Sequence, residues 1–193
     1  MKVLHLLCVF GLLFVGGCQA EKETDFYRNG QKAREHNFKD GKLHGLATEW
    51  DESGRKKGEC NFKYGKMHGL ATWWHENGQK KSEANYVDGE KHGLSTEWHA
   101  NGQKKWEHNY KDGKEHGGFT GWHENGQKWI ESTFKDGELH GLHTIWHENG
   151  QKESEVNYYK DGEKHGLETH WDKDGNVTFQ TKWENGTQTQ ILK

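Results

Sequence analysis

Residues 86–113, Tyr86-Val87-Asp88-Gly89-Glu90-Lys91-His92-Gly93-Leu94-Ser95-Thr96-Glu97-Trp98-His99-Ala100-Asn101-Gly102-Gln103-Lys104-Lys105-Trp106-Glu107-His108-Asn109-Tyr110-Lys111-Asp112-Gly113, decide the fold. The stretch holds two kinds of turn signal, Asp-Gly and Asn-Gly, and starts to repeat itself before it ends. Between the turns lie short runs of Thr, Trp and Tyr, which read as two strands joined back to back. Working outward, the tetrad Asn101-Gly102-Gln103-Lys104 recurs at intervals of 24 residues as Asn29-Gly30-Gln31-Lys32, Ser53-Gly54-Arg55-Lys56, Asn77-Gly78-Gln79-Lys80, Asn125-Gly126-Gln127-Lys128 and Asn149-Gly150-Gln151-Lys152. A worn copy, Asp174-Gly175-Asn176, comes one residue late because Tyr158-Tyr159 replaces a single ring. Gly41, Gly65, Gly89, Gly113, Gly137, Gly162 and Gly186 form a second series, and a His-Gly pair, from His44-Gly45 to His165-Gly166, opens each first strand. Such periodicity marks a repeat architecture.

Face patterning suggests the register. In the copy around Asn77-Gly78, alternation puts Leu70, Thr72 and Trp74 on one side of the first strand and Ser82, Ala84 and Tyr86 on one side of the second. A two-residue loop would set Trp74 beside Lys81 and Glu83. A three-residue loop, Glu76-Asn77-Gly78 with Gly78 left-handed, brings the apolar sets together. It also sets Glu49 against Lys57 and Glu97 against Lys105. Stacked hairpins then align Trp50, Trp74, Trp98, Trp122, Trp146 and Trp171 in one ladder, and Phe62, Tyr86, Tyr110, Phe134, Tyr158 and Trp183 in another. The two ladders interleave along a common stripe, with the rings of one ladder roughly 10 Å apart. The expected fold is all-β: an elongated, open antiparallel meander of tandem β-hairpin repeats, about seven copies, forming a single-layer, solenoid-like sheet over residues 26–193. Each copy touches only its neighbours, so several must stack before any is stable.

Composition agrees. Hydrophobic residues make up 30% of the chain and charged residues another 30%, with a mean hydropathy of −1.25, values typical of a disordered polymer. Yet there is no proline and 12% of the residues are aromatic, ten of them Trp, which is too much ring surface for a solvated linker. The net charge of −3, with the two signs interspersed, argues against nucleic acid as a partner.

The N-terminus carries a second signal. Met1-Lys2 precedes an apolar run, Val3 to Val15, that is too short to span a bilayer core about 30 Å thick and reads as a signal-peptide core. Val15-Gly16-Gly17-Cys18 follows, and then the polar Gln19, Ala20, Glu21, Lys22 and Glu23. This resembles the bacterial lipobox, which implies a lipoprotein signal peptide at 1–17, acylation of Cys18, and a short polar tether at 18–25. Two or more acyl chains anchor stably where one is marginal. By resemblance to Gram-negative lipoproteins, Gln19 in place of Asp implies the outer membrane, should the host be Gram-negative. Cys8 falls in the removed segment and only Cys60 remains, so no disulfide framework exists.

The unit Tyr86, Asp88-Gly89, Lys91-His92-Gly93, Trp98, Asn101-Gly102-Gln103-Lys104, Tyr110 and Asp112-Gly113 resembles the MORN repeat in its bacterial variant form, from Phe26 to about Gly186. The resemblance implies a membrane-proximal scaffold or interaction module. Some bacterial members are labelled YwqK-type antitoxins, which would imply a toxin partner.

The remaining candidates have structural explanations. The His-Gly column and His75, His99, His123 and His147 invite a metal. Members of one column lie roughly 10 Å apart, however, whereas zinc needs nitrogens about 2.0–2.1 Å away. Asp88-Gly89 and its equivalents suggest calcium, but turn chemistry accounts for them. Cys60 stands where the next copy has Ala84, so it reads as a packed thiol. No catalytic constellation emerges, and neither cofactor nor metal is expected. The expectation is a non-enzymatic interaction or scaffold surface at the cell envelope, with a membrane contact through Cys18 and a protein or envelope-polymer partner. The candidate binding face is the aromatic ladders, Trp50, Trp74, Trp98, Trp122, Trp146 and Trp171 with Tyr86 and Tyr110. Glycan binding through these rings is the alternative, since rows of Trp and Tyr stack on sugars or quaternary ammonium groups. Replacing Cys18 by Ser should move the protein from the membrane fraction to the soluble one; unchanged membrane retention in a fractionation experiment would contradict the anchor.

Overall fold

The computed structural model describes residues 20–158 and 162–193. Residues 1–17, expected to be a signal peptide, Cys18 and Tyr159 lie outside the described residues. The chain divides into two units, Met1–Glu90 and Lys91–Lys193. The first holds β1 (Ala20–Phe26), β2 (Lys32–Lys39), β3 (Lys42–Leu43), β4 (Gly45–Trp50), β5 (Lys56–Lys63), β6 (Lys66–Trp74) and β7 (Lys80–Val87). The second holds β8 (Glu90–Trp98, all but its first residue), β9 (Lys104–Lys111), β10 (Lys114–Trp122), β11 (Lys128–Lys135), β12 (Glu138–Leu139), β13 (Gly141–Trp146), β14 (Lys152–Tyr158), β15 (Lys164–Trp171), β16 (Val177–Glu184) and β17 (Thr187–Ile191). Within each unit every pairing is antiparallel and joins consecutive strands, β3–β4 and β12–β13 each serving as one interrupted strand against β2 and β11. The chain is an all-β open meander of tandem hairpins, as its periodicity implies.

Both turn types follow from local chemistry. At 88–89 Asp and Gly both have positive φ (50° and 93°), as do the pairs at 40–41, 112–113 and 136–137, Tyr64-Gly65 and Asn185-Gly186, the two-residue turn whose twist matches that of the strands. At 76–78 the loop has three residues: His75 N–H donates to the Gln79 carbonyl, Gly78 N–H donates back to the His75 carbonyl, and Gly78 has φ +84°. The expected loop length is therefore present.

Its expected consequence is not. Beyond the loop Trp74 pairs with Lys80 but Trp73 pairs with Ser82, so Lys81 is left over as a bulge. A slip of one residue turns a strand's side chains to the opposite face. Ala71 therefore faces Ala84, and Gly69 faces Tyr86, while Thr72 faces Glu83. Trp50, Trp74, Trp98, Trp122, Trp146 and Trp171 share one face with Thr48, Thr72 and Thr96, called here the Trp face. Phe62, Tyr86, Tyr110, Phe134, Tyr158 and Trp183 lie on the other, the ring face. The single aromatic stripe is thus two rows back to back. The expected pairs Glu49–Lys57 and Glu97–Lys105 are replaced by Glu49–Gly58 and Glu97–Trp106.

A second bulge lies at the His-Gly column. Phe62 pairs with Met67 and Cys60 with Ala71, so Asn61 alone spans His68-Gly69-Leu70, with Gly69 at φ +89°. The column does not open every first strand: it sits inside β6, β8 and β10, and it separates β3 from β4 and β12 from β13. The segment expected as a tether, 18–25, is strand from Ala20 onward. β1 pairs with β2, helped by ion pairs from Lys22 to Glu35 and from Arg34 to Asp25. Alternating charges masked this strand in the sequence.

An open sheet has no second layer to pack on, so rings lean over small neighbours. Ala71 is 0% exposed and Ala84 3%, whereas the large rings are half-buried. Two glycines are required by such contact. A Cβ at Gly121 would lie 2.5 Å from Trp106 Cζ3 and 2.7 Å from Ile130 Cγ2, and one at Gly58 would lie 3.1 Å from Trp73 Cδ1. Gly121→Ala should lower the thermal unfolding midpoint on the scale of overpacking, about 1–3 kcal/mol. Gly58→Ala should lower it less, and equal midpoints by circular dichroism would contradict the ring placement.

Candidate interaction surface

The Trp face is built alike in every copy. Lys32 lies over the Trp50 ring at 5.5 Å, Lys56 over Trp74 at 5.7 Å, Lys104 over Trp122 at 5.5 Å, Lys128 over Trp146 at 5.7 Å and Lys152 over Trp171 at 5.9 Å. Each of these lysines is also held by the carboxylate three residues on, from Glu35 to Glu155. The six indoles are half-buried, and a cation lies over the rings of Trp50, Trp74, Trp122, Trp146 and Trp171, so this row is not a bare stacking platform. Its exposed apolar groups are the leucines: Leu46 and Leu70 in the first unit, Leu94, Leu142 and Leu167 in the second, each 40–47% exposed.

The recurring tetrad joins one copy to the next. The Asn101 side chain accepts from Gln103 N–H at 3.0 Å and donates to the Glu124 carbonyl at 2.9 Å, 23 residues on. Asn29, Asn125 and Asn149 reach the Glu52, Glu148 and Lys173 carbonyls in the same way. The residue that closes the loop also reaches forward. Tyr27 hydroxyl donates to the Trp50 carbonyl at 2.7 Å, and the Nε2 atoms of His99 and His147 donate to the Trp122 and Trp171 carbonyls at 3.1 Å. Gln31, Gln127 and Gln151 lay their side-chain oxygens over Gly54, Gly150 and Gly175, where a Cβ would meet them at 2.9–3.2 Å. These histidines are thus structural. Among the described residues no three His, Cys, Asp or Glu stand close enough to hold a metal ion.

The ring face differs from copy to copy. The position of Ala47 and Ala71 is taken by Ser95, Phe119, His143 and Glu168 in the second unit. There Trp106 stacks on Phe119 (5.4 Å between centroids) and meets Trp129 edge-on (5.2 Å), while Phe119 lies 4.2 Å from His108 and 6.1 Å from Phe134. The candidate residues Tyr86 and Tyr110 belong to this face and are separated from the Trp row. Trp106, Phe119 and Trp129 were missed by sequence reasoning, although each breaks the repeat and could have been found by asking where the copies disagree.

Polar substitutions on this face are bonded. Ser132 and His143 Nδ1 are 2.8 Å apart, but Ser132 is 2% exposed, so its hydroxyl is a packing bond and not a nucleophile. Glu168, 7% exposed, accepts from Lys164, from His170 and from the Trp183 indole. Burial pushes its carboxyl up, and those three bonds outweigh it and hold it below the usual range. Burial pushes the Cys60 thiol up to about 11, as expected of a packed cysteine.

Burial, together with nearby Lys164, lowers the His143 imidazole from its usual range. A depressed folded-state value means that the unfolded chain takes the proton more readily. The stability from His143 is present above its unfolded value of about 6.5 and is lost as pH falls through the folded value. In denaturant melts the stability difference between wild type and His143→Gln should therefore move against the wild type between about pH 7.5 and 5.5. A pH-independent difference would contradict it.

Among the described residues no helix is long and apolar enough to cross a membrane. No curated protein matches the chain. Six tandem segments, 22–40, 43–64, 67–88, 91–112, 115–136 and 139–161, match the MORN repeat variant family. Each segment from 43–64 to 115–136 starts just past one two-residue turn and ends at the next, so the family's unit coincides with the stitched hairpin, and the chain belongs to the MORN repeat variant family.

Proposed function

We propose that this is a non-enzymatic interaction protein held at the bacterial cell envelope by lipid on Cys18, and that its ring face receives a protein or envelope-polymer partner. The supporting observation is the division of labour between the faces. The Trp face repeats one set of contacts that joins neighbouring copies. The ring face carries half-exposed rings and different chemistry in each copy, which is what selective recognition requires. Family membership supports a repeat-based interaction role, and the lipobox supports the anchor.

Glycan binding is the second reading, favoured by the Trp106, Phe119 and Trp129 cluster, since clustered rings offer flat apolar faces beside polar groups such as Glu97 and Glu115. Site-specific photocrosslinking in intact cells tests both. A crosslinker at Glu97, exposed beside Trp106 on the ring face, should capture a partner, and Trp106→Ala should diminish that capture. The same crosslinker at Leu142 on the Trp face should not. Capture from Leu142 alone would overturn the assignment of the face. Capture of carbohydrate at Glu97 with no protein would select the second reading.

A further inference from the structure

In the first unit the loops 27–31 and 51–55 are stitched by Tyr27, Asn29 and Gln31, through the Trp50 and Glu52 carbonyls and over Gly54. At the next junction all three forward-reaching residues are replaced, by Asp51, Ser53 and Arg55. These bond one another. Asp51 accepts from Ser53 N–H at 2.9 Å, from Ser53 hydroxyl at 2.6 Å, from Arg55 N–H at 3.0 Å and from Arg55 Nε at 2.9 Å. None of the three is bonded to loop 75–79, and nothing lies within 4 Å of a Cβ placed on Gly78. The same inward wiring occurs at 172–176, where Asp172 accepts from Asp174 N–H and from both the backbone and the side chain of Asn176. That loop accepts stitches from His147 and Asn149 and is the last three-residue loop in the sequence.

We propose that loop 51–55 is an internal cap: it ends the loop stack inside the first unit and leaves a hinge between the β4–β5 and β6–β7 hairpins, where the unit opens first. What still joins them on the loop side is the backbone ladder of β5 and β6, the Trp73 ring lying over Gly58 and the contact of Lys56 with Trp74. Opening from the loop end separates Gly58 from Trp73 and then Cys60 from Ala71, so it uncovers the buried Cys60 thiol. Repeat arrays lose cooperativity at their weakest interface, and local opening there precedes global unfolding.

Cys60 thus reports on the hinge. In the full chain, labelling of Cys60 by a thiol reagent under native conditions, mapped by mass spectrometry, measures the opening of β5 from β6. Installing the stitch with Asp51→His, Ser53→Asn and Arg55→Gln should slow labelling at least tenfold, since two added hydrogen bonds at about 1 kcal/mol each are together worth roughly thirtyfold. The reverse substitutions in loop 99–103 (His99→Asp, Asn101→Ser, Gln103→Arg) should leave Cys60 labelling unchanged, which separates the hinge from general destabilisation. In wild type, amides of loops 51–55 and 75–79 should exchange with deuterium faster than those of loops 99–103 and 123–127. Equal exchange in the two pairs of loops would overturn the hinge. So would unchanged labelling in the stitched variant, provided its circular dichroism matches wild type.

Discussion

An open sheet can bury nothing beneath itself, so the fold depends on side chains that cross from one hairpin to the next. Asn101 shows how far one residue can serve this end. Its oxygen closes its own loop on Gln103 N–H and its amide nitrogen satisfies the carbonyl of Glu124 in the next loop. The neighbouring Gly102 supplies the left-handed turn, Gln103 lies over the next glycine, and Lys104 covers the next indole while holding Glu107. Each contact is individually small, of the order of 1 kcal/mol or less. Repeated at successive junctions they hold copies together that no hydrophobic layer secures. Where the tetrad changes, as at Asp51-Glu52-Ser53-Gly54-Arg55, the bonds turn inward and the junction loses its loop-to-loop stitches, keeping its backbone ladder, Lys56 over Trp74 and Trp73 over Gly58.

The two bulges of each hairpin decide what each face can do. Had the hairpins closed without a bulge at Lys81, both aromatic rows would have shared one face and left the other to the charged residues and a few apolar ones such as Ala71 and Trp73. With the bulge, the indoles stand over threonines on one side and the Phe, Tyr and Trp183 rings stand among small residues on the other. Neither face is a core in the usual sense. Apart from Glu168, the most buried side chains are Ala, Cys, Ser, Thr and Val, with the large rings partly open to solvent around them. That distribution explains a hydropathy as low as that of a disordered chain in a fully strand-built protein: the rings need small neighbours to lean over, not many apolar ones.

Period, turn positions and loop length were legible in the sequence because each is written by glycine and by the Asn or Asp beside it, residues with strong backbone preferences. The face assignment was not. A bulge costs one unpaired residue, and at Lys80-Lys81 two identical side chains stand where the strand could continue or slip, so nothing local distinguishes the cases. The ion pairs expected between Glu49 and Lys57 and between Glu97 and Lys105 fit the simple register equally well, because the face is full of both charges. The lysine that matters is the first of each pair, Lys56 or Lys104, and its partners are a glutamate three residues ahead and an indole in the next copy. β1 escaped notice for a related reason, since its charges look like a linker until Arg34 and Glu35 are placed opposite them.

Glu168 shows why the two faces are not under the same constraint. A carboxylate at the position of Ala71 would be ruinous in a two-layer sandwich, where no donor could reach it and burial would be complete. Here Lys164, His170 and Trp183 reach it along the sheet, from its own strand and from the next, and keep it ionised. His143 with Ser132 and the packed Trp106 and Phe119 rings are further solutions at neighbouring copies of that face. On the Trp side a change costs more, because replacing Asn or Gln there removes a bond to the adjoining copy, as at Ser53 and Arg55. Chemistry can therefore diverge on the ring face at little expense to the stack, and recognition can be encoded there copy by copy while the Trp face goes on holding the array together.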